Sequence, residues 1–70
     1  MDTKLLMLDA LRKKYEAQIA DAYARALVYL NSAVCIGEHP QFIDELDKLV
    51  NKISSAEENI QTLNKYFTDK

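Results

Sequence analysis

The chain contains one glycine and one proline, and both fall in the stretch Gly37-Glu38-His39-Pro40. Elsewhere no residue removes a helical hydrogen bond or asks for a left-handed backbone, so the 70 residues read as two long segments joined at one point. Gly37 suits the position just past a helix C-terminus, and Pro40 suits the first turn of the next helix, where a missing N–H costs nothing. A connection this short favours an antiparallel hairpin. The expectation is an all-α chain forming one domain over 1–70, with helix one from about 3 to 34, a loop at 35–40 and helix two from about 41 to 67. No internal repeat or low-complexity segment breaks that pattern.

Hydrophobic spacing supports both helices. In helix one the best apolar stripe is Leu8, Leu11, Tyr15, Ile19, Ala22, Ala26, Leu30 and Ala33, whose steps of three, four and four imply a straight or faintly right-handed helix. Helix two carries Leu46, Leu49, Ile53, Ala56, Ile60, Leu63 and Phe67 at alternating steps of three and four, a heptad seam. Asp44 and Glu45 near its start and Lys65 near its end each match the helix dipole. Acid-before-base pairs one turn apart, Asp9 with Lys13, Asp21 with Arg25 and Asp44 with Lys48, add weak support.

The run from Ala17 to Ile36 is apolar on nearly every side. Wrapped at about 100° per residue, its polar positions Gln18, Asp21, Arg25 and Ser32 form one narrow strip, with Asn31 almost alone on the far side. Ala20, Tyr23, Ala24, Leu27 and Val34 therefore lie outside any seam that one partner helix can cover, and they are the expected oligomer or partner interface. Ala17, Ala20, Ala22, Ala24 and Ala26 would let another backbone approach helix one closely. Two hairpins would complete a four-helix bundle, with a two-fold contact as the default and a larger symmetric ring as the alternative.

Size points the same way, because a lone core at this length supplies only ~3–5 kcal/mol and some staple is needed. Cys35 is the only cysteine, so a disulfide framework is excluded, and a reducing, cytoplasmic setting is expected. Lys plus Arg number 9 against 11 Asp plus Glu, a net charge of −2, which argues against general nucleic-acid binding. No secretory signal is visible: Leu5–Leu8 is cut short by Asp9 and Arg12-Lys13-Lys14. A membrane span is not expected, since Asp21 and Arg25 would each cost ~2.5–3.5 kcal/mol at mid-membrane.

Candidate chemistry is sparse. Cys35, Glu38 and His39 crowd the loop, but a closed zinc site wants four ligands and no Cys-x-x-Cys or His-x-x-x-His spacing occurs, so no metal or cofactor is expected. A Cys35 nucleophile with a His39 base would need an orienting group and an oxyanion site that a short hairpin does not offer, and the chain reads as a non-enzyme. The adjacent carboxylates Asp44 and Glu45, or Glu57 and Glu58, point in different directions on a helix. The basic run Arg12-Lys13-Lys14 is diluted by Asp9, Glu16 and Asp21 and reads as solvated surface. The tyrosines of helix one are more informative. Tyr15 and Tyr29 fall near the seam, Tyr23 on the surplus face, and Arg25 one turn before Tyr29. Tyrosine buries a large ring yet keeps a polar tip, which suits a subunit boundary, and Tyr15, Tyr23, Arg25 and Tyr29 from neighbouring chains could also stack a base and neutralise a phosphate.

The junction Ile36-Gly37-Glu38-His39-Pro40, followed by an amphipathic helix ending Leu63-Asn64-Lys65-Tyr66-Phe67, resembles short helical-hairpin proteins of tailed bacteriophages over about the second half of the chain. The resemblance implies a small cytoplasmic accessory protein acting in an infected host. In architecture alone the chain is similar to phage counter-defence sponges, which are symmetric helical oligomers sequestering nucleotide signals at subunit boundaries. It is likewise similar to the plasmid copy-control hairpins that pair into four-helix bundles and bind RNA loops. The expectation is a non-catalytic, self-associating binding protein whose ligand is a nucleotide second messenger or whose partner is a host or phage protein. RNA ranks last.

Overall fold

The computed structural model describes residues 2–31 and 41–67, which form two helices, α1 (Thr3–Asn31) and α2 (Gln41–Tyr66). They pack antiparallel: Arg12 near the start of α1 hydrogen-bonds to Asn64 near the end of α2, and Tyr29 near the end of α1 meets Phe42 at the start of α2. The all-α hairpin expected from the sequence is the fold. Positions 32–34 of the expected first helix and the loop at 35–40, with Val34, Cys35, Gly37, Glu38, His39 and Pro40, lie outside the described residues.

Both helix ends follow from side-chain chemistry. Before α1, the Asp2 carboxylate accepts a hydrogen bond from the Lys4 backbone N–H at 2.9 Å, satisfying a donor that the first turn leaves without an intrahelical partner. In α2, Asp44 lies in the first turn and Lys65 in the last, each where the dipole favours its charge. Two of the expected one-turn ion pairs form, Asp9 with Lys13 at 3.1 Å and Asp21 with Arg25 at 3.0 Å. The third does not. Lys48 turns to Glu45, three residues back, at 3.2 Å, rather than to Asp44.

The seam holds little core. Among the described residues Ala22, Leu49, Ala56 and Leu63 are buried, and no large side chain is fully covered. Leu8, Leu11, Tyr15, Ile19 and Ala26 of α1, with Leu46, Ile53 and Ile60 of α2, are half-buried along its edges. An alanine loses all its exposure, as Ala22 does at 0%, only where an opposing element comes close.

The first helix departs from its expected stripe near its end. Leu30 is 52% exposed, and Tyr29 takes the inward place, its ring edge-on to Phe42 with centroids 5.2 Å apart. Gln18 is also half-buried. The positions of α1 that follow the seam are then Leu8, Leu11, Tyr15, Gln18, Ala22 and Tyr29, on a seven-residue period. The reason is geometric: helices in contact along their length must share a period, and the heptad of α2 selects the residues of α1 that match it. Phe67, expected to close the α2 seam, lies just past the helix and is 52% exposed.

Candidate functional site: a charged groove and an apolar side

The two long sides of the hairpin differ in character. On one side an open groove with a cavity volume of about 600 Å³ runs between the helices in the half near the α1 C-terminus. Val28, Tyr29 and Leu49 supply its apolar lining, while Asp21 and Arg25 of α1 face Glu45, Lys48 and Lys52 of α2. The charges are already organised. The Arg25 Nε–H is directed between both Asp21 carboxylate oxygens, at 3.0 and 3.1 Å, and the Lys48 ammonium donates to Glu45 at 3.2 Å. Three cations against two carboxylates leave the lining with one net positive charge. The groups present are carboxylates, cations and one phenol, which can orient and neutralise an anion.

Of the four residues singled out for ligand binding, the structure brings two together. Arg25 and Tyr29 share the groove. Tyr15 is half-buried, fourteen residues and so about 21 Å earlier along the same helix, beyond the groove's reach. Tyr23 is 58% exposed and is not part of the groove lining. Glu45, Lys48 and Lys52 are groove residues that reading α1 alone does not find. Their signal is a row of charges at steps of three and four on α2, which gains meaning only once the antiparallel register sets it opposite Arg25.

The other side is apolar, and its position follows from the Arg12 to Asn64 hydrogen bond, which marks it on both helices. Leu30 lies five full turns beyond Arg12, Tyr23 about three turns beyond and Leu5 about two turns before, so all three project to that side. On α2, Leu46 lies five full turns before Asn64, with Val50 and Ile43 one turn to either side of it. Tyr23, Ile43 and Val50 are each 58% exposed, Leu30 is 52% and Leu27, next round the helix, is 39%. Of the expected interface residues, Tyr23 and Leu27 belong to this surface, and Ala20 and Ala24 are exposed farther round α1. Ile43 and Val50 were not anticipated. Being seven residues apart, they draw a second apolar line beside the main seam of α2.

Among the described residues no helix is long and apolar enough to cross a membrane, and no group of three or more His, Cys, Asp and Glu side chains is placed to hold a metal ion. No family model, curated protein or solved structure matches the chain.

Proposed function

We propose that this protein is a non-catalytic interaction protein whose working unit contains more than one copy of the hairpin, in keeping with a phage-type accessory protein that sequesters a host component in the cytoplasm. One observation carries the reading: five large apolar side chains, Tyr23, Leu27, Leu30, Ile43 and Val50, stand exposed on one side of both helices while, among the described residues, only four are buried between them. Contiguous apolar surface of that kind on a small protein marks a site of association. Native mass spectrometry at micromolar concentration tests it. The expected result is a species at a multiple of 8.0 kDa; a lone protomer throughout the range would contradict the reading.

A second reading rests on the groove. Arg25, Lys48 and Lys52 beside the Tyr29 ring suit an anionic ligand carrying a flat base, as a nucleotide second messenger does. Such a ligand would have to share Arg25 with Asp21, since that pair is already made. If the groove is the site, nucleotide signals raise the melting temperature in a concentration-dependent way, and Tyr29→Ala or Lys52→Ala removes the shift. No shift with any of a panel of cyclic and linear nucleotides would leave association through the apolar side as the whole of the function.

A further inference from the structure

We infer that the occupant of the apolar side is a second copy of this chain, docked face to face with its α1–α2 connection at the same end, so that a two-fold axis runs along a parallel-sided four-helix bundle; this rests on the self-association proposed above. Three observations lead to it.

The first is the direction of the apolar arcs. In a two-helix hairpin that is complete in itself, each arc would be centred on the partner helix. Here both are displaced to the same side. On α1 the arc extends from Leu11, Ala22 and Tyr29 in the seam through Ile19 and Leu30 to Tyr23 and Leu27, and on α2 from Leu49 and Leu63 through Leu46 to Val50 and Ile43. Arcs that turn away from the hairpin plane to one common side are what a helix needs when it has two apolar neighbours at right angles, as every helix of a four-helix bundle does. The opposite side carries Met7, Val28 and Tyr66 among the charges of Asp21, Arg25, Glu45, Lys48 and Lys52, and burying those charges would be costly.

The second is area. A compact monomer of 8.0 kDa would expose about 4,450 Å² by the mass scaling of folded proteins, whereas this hairpin exposes 5558 Å². The excess of about 1,100 Å² is of the same order as the ~800 Å² that each partner contributes to a standard interface, so one more copy on one side would cover most of it.

The third is the sequence of layers along the apolar side, which fixes the orientation. Next to the connection lie Tyr23, Leu27, Leu30, Ile43 and Val50; then comes a polar belt of Asp9, Arg12, Glu16, Glu57, Gln61 and Asn64; nearer the chain-terminal end the side is apolar again at Leu5. With connections at the same end, apolar layers meet apolar layers and the polar belts coincide, where the Arg12 guanidinium of one chain can reach the Glu57 carboxylate of the other. Reversing one hairpin over its full length sets the charged belt against Tyr23 and Val50 and desolvates those charges without partners. The same-end arrangement avoids that cost.

The experiment uses the full chain. Val50→Lys places a charge at the centre of the apolar side at a position already solvent-exposed in the protomer, so the helices are expected to survive by circular dichroism while the dimer dissociation constant rises at least tenfold; Val28→Lys, which lines the groove instead, leaves it unchanged. Orientation is read from spin labels on Phe67→Cys in a Cys35→Ala background. Same-end packing brings the two labels to about 20 Å or less across the bundle, whereas opposite-end packing separates them by at least ~35 Å along the helix axes. A dimer with the long distance, or one insensitive to Val50→Lys, overturns this arrangement and leaves self-association standing. A protomer that sediments alone removes both.

Discussion

Ala22 is the residue on which the two helices come closest to a true interior, since it alone in α1 is buried, at 0% exposure. Ala22→Leu would push extra atoms into a seam already closed around a methyl group, at a cost of about 1–3 kcal/mol, and a lowered urea midpoint at unchanged slope would register it. At the connection end, Tyr29 and Phe42 meet edge to face. A double-mutant cycle to leucine at both is expected to give a coupling of about 0.5–1.5 kcal/mol; additive losses would mean that the rings contribute only area. The Asp21 to Arg25 pair lies at the other extreme. Both side chains are more than half exposed, so Arg25→Ala is expected to change stability by no more than a few tenths of a kcal/mol, and any larger loss would point to a role for Arg25 beyond its own helix.

The two helices were not equally legible as elements. In α2 the alternating three and four steps name the seam directly, and Leu49, Ala56 and Leu63 are buried as that pattern requires. Leu63→Ala should accordingly cost about 2–5 kcal/mol, seen as a melting temperature lower by roughly 10 °C or more. In α1 apolar residues surround the axis, so several stripes compete and local sequence cannot rank them; the choice of Tyr29 over Leu30 was made by the period of α2 and by Phe42, a residue thirteen positions away in sequence. The same limit applies to the candidate sites. That Tyr23 and Leu27 stand outside the seam could be read from α1 by itself, because a residue's angle on its own helix is local information. That Ile43 and Val50 join them, or that Lys48 and Lys52 face Arg25, depends on the register between helices, which no single helix encodes.

At the scale of the whole molecule the hairpin is thin, 53 × 19 × 13 Å, and has one layer of contacts where a stable domain of this length needs more. If the proposed second copy covers the apolar arcs, folding and association are linked, and the melting temperature should rise with protein concentration. Sedimentation equilibrium across the low-micromolar range measures that linkage most directly. The self-association proposed here requires a mass above 8.0 kDa that falls toward 8.0 kDa on dilution and on introduction of Val50→Lys; a folded, helical protomer of 8.0 kDa at every concentration would contradict it.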